Sequence, residues 1–312
     1  MRRAHRNIYT RPLSAILAAM LPSPKNASIA LLLVSLSLSA LVVGCSETGA
    51  APARRAVREV HAAEVKRMLR EDVSRHLVGV ARAADRLAPG FTAELPDEQT
   101  RERQIRFALR KLHEPPRGVP QLIASPMTFL AALQPDGKVF ARDVSPDPMK
   151  GMQLGTLFPS VRTALNEGHA AFALGEFPRT ATGDPSPSIV FAAPSRARDD
   201  QRVVGGAALG IPLWRLEQRI SRQLQLDHAS EQGIVLWSYV YRGDALIAQR
   251  AAHPDLDTIA PDAAVRRAGL ARSPGGFTME REQYGRWYAF GVLPIPMLGE
   301  DVGVVIVRSD PI

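Results

Sequence analysis

The 312-residue chain carries 39 Lys and Arg against 31 Asp and Glu, a formal net charge of +8, but the excess is unevenly placed. Residues 1–44 hold Arg2, Arg3, Arg6, Arg11 and Lys25 and no acid, so the remainder carries only +3, too little for an electrostatic footprint on nucleic acid. One cysteine excludes an internal disulfide framework, and 46% apolar residues leave stability to an ordinary core.

The five cations precede an apolar run, Ile29 to Val43, which Gly44 and Cys45 close; a stretch of Ser, Thr, Gly and Ala follows. A charged segment, an apolar segment and a small residue before the cut form the secretory pattern. Closing it with Cys45 in place of Ala-x-Ala resembles the lipobox of bacterial lipoproteins. That resemblance implies a cut before Cys45, acylation of its thiol, palmitate included, and an extracytoplasmic body tethered to the cell membrane or to the periplasmic face of the outer membrane. The alternative is an uncleaved anchor. Residues 29–44 number 16, short of the roughly 20 that span a bilayer, and Ser35, Ser37 and Ser39 dilute them. Met20 is a second candidate start, because 28 residues ahead of the run are many for a charged leader. Ser46, after the cysteine, resembles the default for outer-membrane sorting in enteric bacteria. The division expected is a signal peptide at 1–44, a linker at 45–52, a helical stalk plus first lobe at 53–225 and a smaller second lobe at 226–312.

From Ala53 to about Leu87, Leu69, Val73, Leu77, Val80, Ala84 and Leu87 recur at helical spacing, and Ala88-Pro89-Gly90 is expected to stop the helix. A second helix is expected over Asp97 to Leu112. Strands at Thr128 to Leu133 and Lys138 to Asp143 flank Gln134-Pro135-Asp136-Gly137, a hairpin signal. A Pro-rich loop, a helix at Phe158 to Glu167, and strands at His169 to Phe177, Ser188 to Ala193 and Arg202 to Pro212 follow. Pro178 to Pro187 is a loop. Leu213 to Gln225 connects to a second, shorter set: strands at Ile234 to Tyr241 and Asp244 to Arg250, a helix at Asp262 to Leu270, and strands at Phe277 to Gln283, Arg286 to Leu293 and Asp301 to Arg308. Only the order of elements repeats.

A long N-terminal helix, a second helix and a five-stranded antiparallel sheet with short helices is similar to the order in Cache domains, the PAS-like extracytoplasmic sensor modules of bacterial receptors. The run Thr128 to Asp143 looks like their first hairpin; Gly151 to Phe158, Gly175 to Phe177, Ser188 to Pro194 and Val203 to Gly210 continue it in order. The resemblance covers Ala53 to Gln225, with Ile234 to Arg308 as a second lobe of the kind found in double-Cache proteins. It implies an α+β fold and a sensor that binds a small molecule. Such receptors lie between two membrane spans and feed a cytoplasmic output module, whereas here Val302 to Arg308 is followed only by four residues. The implied function is therefore binding alone, or binding completed by a partner. The amino-acid-sensing subgroup is similar in fold but uses an Arg-x-Trp-Tyr segment ahead of its pocket. Arg286-Trp287-Tyr288 lacks the spacer and lies on a late strand, so that ligand class does not carry over.

A PAS-like pocket would lie between one sheet face and its covering helices. Arg142 could grip a carboxylate, with Asp143 beside it; the other reading is a solvated pair at a strand end. Phe129, Phe172 and Phe191 read either as pocket walls or as core, and Glu176 is equally open. In the second lobe Val235, Trp237, Tyr239 and Tyr241 alternate onto one strand face, which suits either stacking of a ligand or packing on a helix. Ser273 to Gly276 is a tight turn.

No Gly-x-Ser-x-Gly elbow and no His-Glu-x-x-His occurs. Gly205 to Gly210 lacks the Lys-Ser/Thr of a phosphate loop. The histidines, His61, His76, His113, His169, His228 and His253 among them, show no ligand spacing along the chain. The expectation is a binding module without catalysis, cofactor or metal. Its partners would be the membrane through the N-terminal lipid, a small-molecule ligand, and a transmembrane signalling partner or a second copy, with no nucleic acid. The alternative is a ligand-free structural lipoprotein of the envelope.

Overall fold

The structure is a computed structural model that describes residues 50–178, 186–247 and 254–311, the last stretch with side chains from 257. Cys45, Met20, the apolar run and Ser46 lie outside the described residues, as do 179–185 of the expected loop, the end of the second strand of lobe two, and His253. Contacts group Gly49–Ile312 as one unit, so both lobes belong to a single body.

The body opens with α1 (Ala51–Ala56), which takes in the last two residues of the expected linker, a π-helical stretch (Val57–His61) and α2 (Ala62–Thr92), with no break between them. Of the apolar stripe read from the sequence, Leu69, Val73, Val80, Ala84 and Leu87 are buried, and Leu77 is partly buried against them. The expected stop does not occur. Pro89 and Gly90 are inside α2, which ends only after Thr92, where Ala93 turns extended. Tertiary packing overrides the local signal here, because a Cβ on Gly90 would sit 3.0 Å from Ile105, so the glycine admits the next helix at close range. That helix, α3 (Glu98–Leu112), begins where Asp97 accepts the Thr100 N–H at 2.7 Å, a side-chain cap.

After a short α4 (Pro120–Ile123), the first sheet uses β1 (Phe129–Leu133), β2 (Val139–Arg142), β3 (Ala171–Phe177), β4 (Ser186–Arg196) and β5 (Val203–Pro212), all antiparallel in the order β2-β1-β5-β4-β3. The hairpin turn is closed by Asp136, whose carboxylate accepts the Lys138 N–H at 3.0 Å, and by Gly137 at φ 84°. Helices α5 (Leu154–Leu157) and α6 (Pro159–Glu167) cross between β2 and β3. Gly168, at φ 76°, ends α6 in the left-handed conformation that glycine adopts without strain.

Helix α7 (Leu213–Asp227) leads to β6 (Leu236–Arg242), β7 (Ala245–Ile247), α8 (Pro254–Ile259), α9 (Ala263–Arg272), β8 (Phe277–Gln283), β9 (Arg286–Pro294) and β10 (Val302–Ser309). The second sheet runs β7-β6-β10-β9-β8, the strand order of the first. The repeat legible along the chain only as element order is thus a repeat of topology. The fold is α+β: a long N-terminal helix, a five-stranded antiparallel PAS-like lobe, and a smaller lobe of the same order. Helix α8 was not expected.

Each sheet has an inner and an outer face. The inner face of the first sheet, with Leu130, Ile189, Phe191, Ala207 and Leu209, packs on α2; that of the second, with Leu236, Val240, Leu293, Val304 and Ile306, continues the same core. His76, on α2, is buried in it with its ring 5.2 Å from Phe191. Burial takes its pKa down to about 4, outweighing the nearby Asp72 carboxylate, so it stands as a neutral ring. No helix among the described residues is long and apolar enough to cross a membrane.

Candidate functional site

The outer face of each sheet is where a PAS-like pocket would form. In the first lobe that face is filled. Phe158, at the start of α6, meets Phe177 at 4.8 Å between ring centroids, and Phe177 meets Phe129 edge-on at 5.6 Å. Leu154, Val161, Leu165 and Met149 close around them. Phe158 reaches this depth because Gly175 has no side chain: a Cβ there would lie 2.6 Å from the ring. Of the residues singled out from the sequence, only Phe129 and Arg142 share this face; the Arg142 guanidinium lies 5.7 Å from the Phe129 ring centroid. Asp143 turns away to His113, the residue that caps the C-terminus of α3, at 3.1 Å.

Phe172 and Phe191 do not join Phe129. They stack on each other at 5.5 Å on the inner face, in the core shared with α2. Strand alternation separates them, since Phe172 and Phe177 are an odd number of residues apart on β3 and point to opposite sides. Glu176 is also on the far side from Phe177; its carboxylate takes a hydrogen bond from Arg242 of β6 at 2.9 Å and links the lobes at the surface.

The second lobe differs. Trp237, Tyr239 and Tyr241 share the outer face of β6, as the alternation implied, with Val305 and Val307 from β10 and Phe290, Val292 and Tyr288 from β9 beside them. The adjacent Trp287 is 41% exposed and outside this cluster. Tyr241 lies flat across β10 because its partner in register is Gly303, where a Cβ would meet the phenol oxygen at 2.2 Å. Arg266 of α9 covers that end. Its guanidinium is 5.0 Å from the Tyr241 ring centroid and donates to the backbone oxygens of Pro261, Gly243 and Asp244, tying the helix to the β6–β7 turn.

At the other end of the face the polar tips are less well matched. The indole nitrogen of Trp237 is buried and has no hydrogen-bond acceptor among the described residues. Tyr239 is 1% exposed. Burial, reinforced by the Asp257 carboxylate, holds its phenol pKa well above the ordinary value, so the hydroxyl keeps its proton. The outer face thus buries two rings and an indole N–H, with the Asp257 carboxylate beside the Tyr239 hydroxyl.

No family model matches the chain, and no curated protein matches it. Among solved structures it is similar to the ligand-binding domain of the Campylobacter jejuni chemoreceptor Tlp3 in complex with L-valine, at 11% identity and a TM-score of 0.49, over 80% of this chain and 90% of that one. It is also similar to the ligand-binding domain of the Pseudomonas aeruginosa PAO1 amino-acid chemoreceptor PctC in complex with GABA. There the identity is 16%, the TM-score 0.44, and the coverage 82% and 98%. A third, the PctB domain of the same organism with L-Arg, gives 19% and 0.42 over 81% and 91%. The assignment of two PAS-like lobes in this chain rests on its own strand order and register.

Proposed function

We propose that the chain is a lipid-anchored, extracytoplasmic, sensor-like module that binds a small molecule on the outer face of its second lobe. The observation that carries this reading is the buried Trp237 N–H, which has no acceptor among the described residues and lies beside Tyr239 on an aromatic face. A buried donor left unmatched costs about 1–3 kcal/mol, so a ligand atom that accepts from it gains what the free protein forgoes. Trp237, Tyr239 and Tyr288 supply large rigid walls with little side-chain entropy to lose. Cys45 would hold the body at the membrane, and any signal crossing the bilayer would need a transmembrane partner or a second copy. The first lobe supports a second reading, a ligand-free envelope scaffold, because Phe129, Phe158 and Phe177 leave its outer face packed.

A thermal-shift screen of the full chain against amino acids, carboxylates, purines, amines and sugars separates the two. A ligand at 100 times its dissociation constant adds about 2.7 kcal/mol. Trp237→Phe keeps the ring and deletes the donor, so it should shrink the shift, while Arg142→Ala leaves it unchanged. A flat screen on a folded protein sinks the sensor reading and favours the scaffold. For the anchor, Cys45→Ser should abolish incorporation of radiolabelled palmitate and release the body from membranes; a mutant that still labels would remove Cys45 from the account.

A further inference from the structure

Five polar side chains meet where the start of the long helix crosses the second lobe. His61 closes the π-helical stretch and is fully buried; Glu64 lies one turn on; His228 and Glu231 follow α7; Arg308 is near the end of β10. Their contacts form a closed ring. His61 Nδ1 is 3.0 Å from Glu64, and His228 Nε2 is 3.1 Å from the same carboxylate oxygen, across 164 residues of chain. His228 Nδ1 is 2.6 Å from Glu231, whose other oxygen takes a hydrogen bond from Arg308. The second arm of that guanidinium returns to His61 Nε2 at 2.9 Å.

The donors and acceptors allow one consistent assignment. Arg308 can only donate, so His61 Nε2 accepts, and its proton sits on Nδ1, directed at Glu64. Both nitrogens of His228 face carboxylates, so both donate, and His228 is an imidazolium. Two cations then balance two carboxylates; the Arg308 Nε is buried and has no partner among the described residues. A divalent ion could use the spacing of His61, Glu64 and His228, whose ligand atoms lie within 4.8 Å of one another. Arg308 argues against it: a metal on His61 Nδ1 would force the proton onto Nε2, against a guanidinium N–H.

We propose that these five residues are a proton-operated clasp, which fastens the base of the long helix to the last strand and to the end of the connecting helix while His228 holds two protons, and loosens when one leaves. The groups facing His228 are Glu64 from α2, His61 from the π-helical stretch with its ring edge-on at 4.5 Å, Glu231 from its own turn, and Arg308 from β10 through Glu231. Burial pulls the His228 pKa down, but Glu231 and Glu64 outweigh it, and the pKa lies above the ordinary 6.5. Burial opposes ionisation of Glu64, yet its hydrogen bonds to His61 and His228 leave its pKa lowered; Arg308 takes Glu231 down to about 2.

The direction follows. A raised His228 pKa stabilises the fold fully below about pH 6.5 and ceases to do so as the pH rises through the folded value. The lowered carboxylates stabilise above about pH 4.5 and fail only in stronger acid. Burial lowers the pKa of His61, so it acts in the opposite sense, costing stability as the pH falls below 6.5. The clasp therefore opens on the alkaline side, and the His228 part is isolated by comparing wild type with His228→Gln. The π-helical turn fits the role, since such turns re-aim a helix locally and gather at working sites. The inference is independent of any ligand on the second lobe.

The test uses the full chain. In wild type, the melting temperature and the protection of amides over Val57–Val65 should fall between about pH 6 and pH 9, and the gap to His228→Gln should close over the same range. An NMR titration should place the His228 imidazole pKa above 6.5 in the folded wild type, a readout that stands even if the variant folds poorly. A His228 pKa at or below 6.5, or parallel melting curves for the two proteins, would overturn the clasp. So would a zinc-dependent rise in melting temperature that His228→Gln removes, since it would make the cluster a metal site.

Discussion

Phe158→Ala is expected to destabilise the fold by about 3–5 kcal/mol, the range for deleting a large ring from a well-packed core. Phe158 is fully buried and is the plug of the first lobe, wedged between Phe177 and the bare backbone of Gly175. Its loss removes the transfer free energy of the ring. It also leaves a cavity that Leu154 and Val161, fixed on their helices, cannot close. Urea melts should show a lower midpoint at nearly unchanged slope. The cavity would be apolar, so a small apolar solute should restore part of the lost stability. A loss under about 1 kcal/mol would mean that the outer face of the first lobe is already loose, and the contrast between the two lobes would lapse.

Arg219→Met should cost about 3 kcal/mol, the low end for breaking a buried ion pair by removing one partner. Asp72, on the inner face of α2, is 5% exposed, and Arg219 of α7 reaches it with two N–H groups, one of them at 2.7 Å. Truncating the arginine leaves the carboxylate buried with only the weaker approach of Arg75, at 3.4 Å, in compensation. The desolvation of Asp72 is then unbalanced. Replacing both residues with leucine should recover most of the loss, because a matched apolar pair has no charge to desolvate. A double-mutant cycle measures this directly. Additive effects would show that the pair does not couple α2 to α7.

Much of the fold was legible along the chain because it depends on local chemistry. The buried stripe of α2, the Asp136–Gly137 turn and the second helix from about Asp97 were all placed from spacing and residue type. The stop at Pro89–Gly90 was misplaced because Ile105, from the next helix, decides it. The candidate site was legible in part. The alternation of Trp237, Tyr239 and Tyr241 fixes a shared face, but alternation cannot say which of two faces a pocket will use, and Phe172 and Phe191 proved to lie on the opposite side from Phe129.

What the sequence determined by itself was the order of elements, the uneven charge and the periodicity of each strand, properties set within a few residues. Tertiary structure alone decided that Phe158 shuts the first lobe, that the Trp237 donor has no acceptor among the described residues, and that His61 and His228 meet. Histidines that look scattered along the chain become one ring because the long helix, the connecting helix and the last strand converge there. Convergence of distant segments depends on packing, which no local spacing encodes.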